Sequence, residues 1–476
     1  MTHIHRFPAS SKAAATNPLK MSAPLGGALA FLGMDRSLPL FHGSQGCTAF
    51  GMVLLVRHFR EAIPLQTTAM NQVSTILGGY ENLEEALKTI YERNKPALIG
   101  VCTTGVTETK GEDLEGHLKT FRMRNPDLND LNLVFVSTPD FNGGFEDGYA
   151  AVVQGIVESF AEPADQRVKG QVNILAGCHL TPGDVEEIRD IVESFGLSPI
   201  IVPDLSMSMS GRQPSDFTAT SLGGTTIDQV RSMGASEVTL VLGEQMRRAA
   251  AALELKTDVP SLFFDRLTGL EASDRFIKAL AEISGRPVPA KLRRQRESLV
   301  DGMLDGHFFL TRKKMVVALE PDHLFTVTSY LQDLGVDVVA AVAPQQAAVL
   351  EKVRAGTVMI GDHSDVEAMA KGCDLIISNS HGRMGAAHAG VPLYRMGLPM
   401  FDRLGSGLVV TVGYRGSRDL LFALANIFLA AETDHDSHHA GPGHHEPEHE
   451  HGHDGCCGGS GHGGGREGGS CGCTGA

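Results

Sequence analysis

One cysteine, Cys47, has the surroundings that best suit chemistry, in the run HGSQGCTAFG at residues 42–51. Small and polar residues precede it, and the largely apolar residues 48–59 that follow predict a helix with the sulfur at its N-terminus. Backbone N–H groups and the helix dipole favour a thiolate over a thiol at that position. Such a thiolate could be a nucleophile, a redox group or a metal ligand. The alternative is a small buried cysteine at a tight turn.

A second group of potential metal ligands lies in residues 432–476. This segment holds nine of the twenty histidines and four of the eight cysteines but almost no residue that could pack in a core, so we expect disorder. Its imidazoles and thiols should bind soft or borderline divalent metals, in a storage or delivery role or adventitiously. The candidate ligands are His444, His445, His449, His451, His453, Cys456, Cys457, Cys471 and Cys473.

The remaining cysteines and the absence of common catalytic motifs argue against several classes of protein. Cys102, Cys178 and Cys373 each adjoin a predicted strand, and we expect all three to be buried core thiols. Their wide spacing gives no disulfide framework, which suits a reducing compartment. The sequence has no Walker A loop, no Gly-x-Ser-x-Gly elbow and no His-Glu-x-x-His helix, which argues against nucleotide hydrolase, esterase and zincin functions.

Charge and hydropathy exclude further classes of partner. The formal charge of −15 argues against a nucleic-acid surface, which needs clustered Lys and Arg. No apolar run reaches the length of about 18 residues that a membrane helix needs, and residues 1–20 show no secretory signal. We therefore expect a cytoplasmic protein with no nucleic-acid and no membrane partner.

The elements that must position Cys47 follow an α/β pattern. Short β-branched runs alternate with segments of helical period from about residue 80 to 430. Helix starts are predicted at Asn82, with Glu85 as its capping-box partner, at Thr181 before Pro182, and in a second capping box from Ser364 to Glu367. Strand, helix and strand in succession predict parallel sheets with right-handed crossovers.

There are too many such units for one sheet, so we predict three Rossmann-like domains with mostly parallel sheets. Residues 1–19 form a flexible arm without a fold of its own in this prediction. The first α/β domain covers 20–165 and carries Cys47, the second covers 166–287, and the third, with closing helices, covers 288–431. Residues 432–476 form the disordered, metal-binding tail.

The sequence around Cys47 resembles the cluster-binding region of nitrogenase component 1 proteins. The likeness lies in HGSQGCTAF at 42–50 and HFRE at 58–61, and it continues through Thr103-Thr104, GGTT at 223–226 and GLPMFDR at 397–403. It covers about residues 20–430. The resemblance implies the nitrogenase component 1 fold.

Departures from the family pattern indicate a branch within it. The catalytic nitrogenase β chain has cysteines at the places matching Ser22 and Gly105, where they hold its P-cluster together with the one matching Cys47. Here only Cys47 is kept. One thiolate cannot hold a 4Fe-4S cluster, which takes four protein ligands. The resemblance implies that three cysteines of a NifE-like partner complete the site across the subunit interface.

What the resemblance implies about function is an assembly scaffold without independent catalysis. In an α2β2 heterotetramer with the NifE-like chain, a precursor iron-sulfur cluster would gain molybdenum and homocitrate and so become the iron-molybdenum cofactor. The precursor would be bound chiefly by the partner chain. Transient partners would be the nitrogenase iron protein, the precursor-cluster donor NifB and apo-nitrogenase component 1. The alternative is a catalytic β-type subunit of nitrogenase or of dark-operative protochlorophyllide reductase.

Overall fold

Three parallel β-sheets, each flanked by helices, follow one another along the chain. The computed structural model describes residues 7–12, 14–15, 17–209 and 218–439. Every strand pair in the three sheets is parallel, which confirms the predicted α/β class. The domain boundaries given above remain predictions.

The first sheet has four strands in the order β2-β1-β3-β4. They are β1 (Ser37–His42), β2 (Gln66–Thr67), β3 (Leu98–Thr103) and β4 (Asn132–Val136). Its helices are α1 (Ala23–Leu32), α2 (Gln45–Phe59), α3 (Gln72–Leu77), α4 (Tyr80–Asn94), α5 (Gly105–Lys110), α6 (Leu114–Arg124) and α7 (Phe145–Phe160).

The second sheet also has four strands, in the order β6-β5-β7-β8. They are β5 (Gln171–Ala176), β6 (Ser198–Val202), β7 (Val238–Leu242) and β8 (Ser261–Phe264). The accompanying helices are α8 (Pro182–Ser194), α9 (Leu205–Ser208), α10 (Ile227–Arg231), α11 (Arg247–Thr257) and α12 (Leu270–Ser284).

The third sheet has five strands, in the order β11-β10-β9-β12-β13. They are β9 (Lys314–Ala318), β10 (Asp337–Ala343), β11 (Thr357–Ile360), β12 (Leu375–Ser378) and β13 (Leu393–Arg395). Its helices are α13 (Ala290–Leu310), α14 (Pro321–Asp333), α15 (His363–Met369), α16 (Arg383–Ala389) and α17 (Gly413–His439).

The predicted helix starts are partly right. Thr181 caps α8 by accepting the Asp184 N–H, and Pro182 is its first residue, as predicted. The prediction at Asn82 is wrong, because α4 begins at Tyr80 and Asn82 lies inside it. The capping box at Ser364 is also wrong: Asp362 caps α15, with Asp365 as its reciprocal partner.

Helix α1 packs against α7 at very short range. A Cβ at Gly26 would overlap the carbonyl oxygen of Phe145, and a Cβ at Gly148 would overlap that of Ala23. Because neither glycine has a side chain, the two backbones approach closely. This packing fixes where α1 begins relative to the carboxyl edge of the first sheet.

The two ends of the described chain differ from the sequence-based expectation. The stretch expected to be an arm without a fold contacts the third sheet, since Ser10 donates its N–H to the Ile360 carbonyl at 3.0 Å. At the other end, α17 continues past Ala431 to His439. Among the described residues, no helix is both long and apolar enough to cross a membrane.

Candidate metal centre

Cys47 lies in the first turn of α2, as the sequence predicted. Strand β1 ends at His42, and Ser44 is the N-cap of α2, with extended backbone angles. The Cys47 Sγ is 3.6 Å from the Ser44 Oγ, and the thiol is exposed. A ligand approaching from outside the chain can therefore reach the sulfur at the positive end of the helix dipole.

The turn before Cys47 packs directly on the start of α5. His42 lies opposite Thr103 in the β1-β3 register. The hydroxyl of Thr104, the N-cap of α5, donates to the His42 carbonyl at 3.0 Å. A Cβ at Gly43 would overlap the Thr104 side chain, so this position needs a glycine. The starts of α2 and α5 are thereby held side by side.

The two positions where the resemblance predicts missing cysteines are also helix starts. Ser22 is the N-cap of α1, and Gly105 is the first residue of α5. Asp140 connects them: its Oδ1 accepts the Ala23 N–H at 3.1 Å, and its Oδ2 would lie 3.8 Å from a Cβ at Gly105. Burial raises the pKa of Asp140. Neither Ser22 nor Gly105 carries sulfur, so the arrangement contributes one thiol.

The outer face of α2 beside Cys47 is apolar and uncovered. Phe50 is 67% exposed, Val53 51% and Val56 39%. The opposite face packs inward through Leu54 and Leu55, which are buried. Contiguous exposed apolar surface typically marks a protein interaction site. We call Phe50, Val53 and Val56 the α2 stripe.

The other three cysteines are less uniform than expected. Cys102 is fully buried within β3, where burial raises its pKa to about 12. Cys178 and Cys373 are only partly buried, and burial raises the pKa of both thiols. The predicted tail ligands, from His444 to Cys473, lie outside the described residues.

Sequence reasoning missed a cavity of about 460 Å³ between the three sheets. Its lining includes His58 from the end of α2, Cys178 and His179 after β5, His323 on α14 and Arg395 on β13. Apart from the neighbours Cys178 and His179, these residues are far apart in sequence and form no motif, so only the tertiary fold brings them together.

The three cavity histidines are uncharged at neutral pH. Burial lowers the pKa of His58 and of His323 to about 4. For His179, burial and the repulsion between its protonated ring and that of His323 lower the pKa to about 3. The His58 Nδ1 accepts the Met400 N–H at 2.9 Å. Neutral imidazoles can accept hydrogen bonds or coordinate metals. The cavity therefore combines neutral imidazoles with acidic and basic side chains, such as Glu320 and Arg395, in a lining that also has many apolar residues.

Comparisons with known proteins agree with this architecture. The profile of the family described as nitrogenase component 1 type oxidoreductase matches residues 22–429. A solved structure of nitrogenase Cp1 at pH 6.5 superposes with a TM-score of 0.84 at 30% identity, over 89% of this chain and 95% of that one. The chain therefore belongs to the nitrogenase component 1 family.

Within the family, the chain lies among the NifN proteins. The nitrogenase iron-molybdenum cofactor biosynthesis protein NifN of Bradyrhizobium diazoefficiens is 51% identical over 433 residues, which cover 90% of this chain and 92% of that protein. NifN of Nostoc sp. is 48% identical over 89% of this chain and 95% of its own length. NifN of Klebsiella pneumoniae is 38% identical over 92% of this chain and 96% of its own length.

Proposed function

We propose that this chain is a scaffold subunit on which, together with a NifE-like partner, the nitrogenase iron-molybdenum cofactor is assembled. Its relatives at 38–51% identity are named as biosynthesis proteins for that cofactor. In this proposal, a precursor iron-sulfur cluster gains molybdenum and homocitrate on the complex. The precursor is held chiefly by the partner chain.

The observation that carries the proposal is a single exposed thiol, Cys47, where the catalytic β chain has three. The neighbouring helix starts at Ser22 and Gly105 have no sulfur. A 4Fe-4S cluster takes four protein ligands, so this chain fits as the donor of one. The resemblance to the family implies that the other three thiolates come from another polypeptide. We assign them to the NifE-like partner.

The α2 stripe supports the same partner. It begins one helical turn from Cys47 and is apolar, so covering it with another chain would stabilise the complex by hydrophobic burial. If Cys47 and partner cysteines share one cluster, metal binding and subunit association are thermodynamically linked. Loss of iron should then weaken the complex.

The wider assembly follows from the same role. We propose an α2β2 heterotetramer that binds three partners transiently: the nitrogenase iron protein, the precursor donor NifB and apo-nitrogenase component 1. The proposed compartment is the cytoplasm, which suits the unpaired cysteines Cys47, Cys102, Cys178 and Cys373. Catalysis as a β-type subunit of nitrogenase or of protochlorophyllide reductase is not proposed, because the chain lacks sulfur at Ser22 and Gly105 and its relatives are named for cofactor biosynthesis.

The test is to co-express the chain with its NifE-like partner and to count iron per complex. Cys47→Ala should lose most of the 4Fe-4S absorbance and electron paramagnetic resonance signal, because one ligand is missing. The side chain is exposed, so the fold should be unaffected, and circular dichroism checks this.

The matched control is Cys373→Ala, which removes a partly buried thiol in the third α/β region and should leave the iron count unchanged. Unchanged iron and an unchanged spectrum in Cys47→Ala would refute the assignment. A wild-type complex that reduces acetylene or protochlorophyllide at enzymatic rates would overturn the scaffold function itself.

A further inference from the structure

Three side chains next to the Cys47 turn converge at the carboxyl edge of the first sheet. His42 ends β1, Glu112 lies between α5 and α6, and His117 is on α6. Each can offer one ligand atom, and these atoms all lie within 4.8 Å of one another. Two imidazoles and one carboxylate form a donor set that binds divalent transition metals. We call these residues the His-Glu-His triad.

The His42 ring is held so that one of its nitrogens faces Glu112. The side chain is fully buried, and its Nδ1 lies 3.0 Å from the Thr68 Oγ1. The Nε2 faces the Glu112 Oε2 at 2.7 Å. When the Nδ1 proton is donated to Thr68, the Nε2 lone pair points at a carboxylate oxygen. Two such electron pairs attract a shared cation, either a proton or a metal ion.

The other carboxylate oxygen of Glu112 makes contacts that fix the orientation of this side chain. The Oε1 accepts the Gly79 N–H at 2.9 Å, and the Lys110 Nζ lies 3.8 Å away. Gly79 has no room for a side chain, because a Cβ there would lie 2.7 Å from the His42 Cε1. The loop before α4 therefore closes directly over the triad and fixes the carboxylate. Supporting contacts of this kind are typical of metal ligands.

His117 supplies the second observation that points to a ligand. Its Nδ1 is buried and has no hydrogen-bond partner among the described residues. A buried polar nitrogen without a partner is costly, and coordination would satisfy it. The ring is otherwise packed edge-on to His42, with the ring centres 6.3 Å apart. His42 and Glu112 are thus hydrogen-bonded to each other and to the surrounding chain, whereas His117 beside them has a buried ring nitrogen without a hydrogen-bond partner.

We propose that His42, Glu112 and His117 bind one divalent transition-metal ion, Fe²⁺ or Zn²⁺, at a site separate from the cluster assigned to Cys47. Ligand atoms about 2.0–2.2 Å from one ion lie about 3–3.5 Å from each other. The His42-Glu112 pair has to open slightly, and His117 has to move inward by about 1–2 Å. Mg²⁺ and Ca²⁺ are disfavoured because they prefer all-oxygen sites.

The bound ion would link the segments that surround the Cys47 turn. His42 immediately precedes that turn, whereas Glu112 and His117 follow α5, whose cap Thr104 bonds the His42 carbonyl. Coordination would join these segments by bonds that the unfolded chain does not make, so it should stabilise the fold. The role is structural, and it does not depend on the proposed scaffold function.

The test uses the purified full-length chain, stripped with a chelator, dialysed against Zn²⁺ and analysed for bound metal. Wild type should bind one more ion per chain than Glu112→Gln, which has nearly the same shape but a weaker ligand. Zinc affinity at the triad should fall by at least about 100-fold, since losing a mere supporting contact already costs about 10–100-fold. His117→Gln should lose the same ion.

The matched control is His388→Gln. His388 pairs with Glu367 at 3.4 Å but belongs to no three-ligand group among the described residues, so metal content should stay at the wild-type level. The tail has the same sequence in every variant, so any metal that it binds should cancel in the comparison. The Cys47→Ala variant should keep the triad ion, which separates this outcome from any failure of the cluster assignment.

A crystal of the full chain soaked with Zn²⁺ gives the location directly. An anomalous peak at the zinc edge between His42, Glu112 and His117 is the expected result. Equal metal in wild type and Glu112→Gln, or no peak at the triad, would mean a His-Glu ion pair only and would overturn the proposal.

Discussion

Helices α1 and α2 begin at neighbouring points of the same sheet edge but have opposite surroundings. Every residue of α1 is buried, whereas α2 buries only Thr48, Gly51, Leu54 and Leu55. The cap of α1 is Ser22, and the first turn of α2 carries the exposed Cys47. Helix α1 is covered by its own chain, mainly by α7.

The different burial of α1 and α2 indicates two different roles, which the sequence pattern of the family does not distinguish. Helix α1 anchors the fold, and its start has no sulfur to present. Helix α2 leaves the thiol and the α2 stripe uncovered, and in the proposed complex this outer face contacts the partner chain. Substitutions in α1 should therefore affect folding, whereas those on the outer face of α2 should affect assembly.

The largest effect is expected for Gly26→Ala in α1. The new methyl would overlap the Phe145 carbonyl, so α1 and α7 must separate. We expect a loss of about 3 kcal/mol or more in the free energy of unfolding, at the upper end for overpacking. Urea denaturation measures it. Gly46→Ala in α2 is the control: its Cβ would meet nothing within 4 Å, and stability should change little or rise. Equal losses would contradict the comparison.

The next effect is expected for Phe50→Asp on the α2 stripe. Folding of the isolated chain should be unchanged, because this side chain is 67% exposed. Affinity for the NifE-like partner should fall by about 30-fold, or about 2 kcal/mol, as for a central apolar interface residue. Sedimentation velocity of the mixed subunits measures it. Phe308→Asp, at an 83% exposed position on α13, should leave affinity unchanged. If both variants bind alike, the α2 stripe is not the interface.

The end of α2 that lines the cavity should affect how folding stability depends on pH. Burial lowers the pKa of His58 to about 4, so the folded chain binds fewer protons than the unfolded chain between that pH and about 6.5. Stability is therefore lost as pH falls through this window. Between pH 7.5 and 5.5, wild type should lose about 1 kcal/mol more than His58→Gln in urea denaturation. Parallel pH profiles would show that His58 is not held neutral.

The smallest effect on assembly is expected for truncation after Ala431. The removed segment carries nine histidines and four cysteines, so the capacity to bind Zn²⁺ in equilibrium dialysis should fall sharply. Partner affinity and cluster iron should not change, because the Cys47 edge is intact. Cofactor maturation that becomes dependent on added metal would support a delivery role for the tail. Weakened partner binding would place the tail in the interface instead.

The alternation of strands and helices was predictable from the sequence, because local signals specify it. The Thr181-Pro182 start of α8 is one such signal. The failures have long-range causes. At the start of α4, the Gly79 N–H donates a hydrogen bond to Glu112, which is 33 residues away in the sequence. No local capping pattern therefore marks the start of this helix. Strand β1 was missed altogether, although Leu38, Leu40 and Phe41 are buried in it.

The candidate site was predictable only in part. The position of Cys47 at a helix start follows from the residues around it. The cavity and the His-Glu-His triad do not, because parallel pairing of β1 with β3 brings His42 beside a segment about 60 residues later. The α2 stripe could have been suspected from Phe50, Val53 and Val56 at helical spacing, but a buried stripe has the same pattern.

The central claim is that Cys47 shares an iron-sulfur cluster with another polypeptide. An iron-edge anomalous map of the crystallised complex with the NifE-like partner tests it most directly. The expected result is iron within bonding distance of the Cys47 Sγ, with the remaining ligands on the partner and the α2 stripe covered by it. Iron held without Cys47, or a Cys47 thiol exposed to solvent in the assembled complex, would contradict the account.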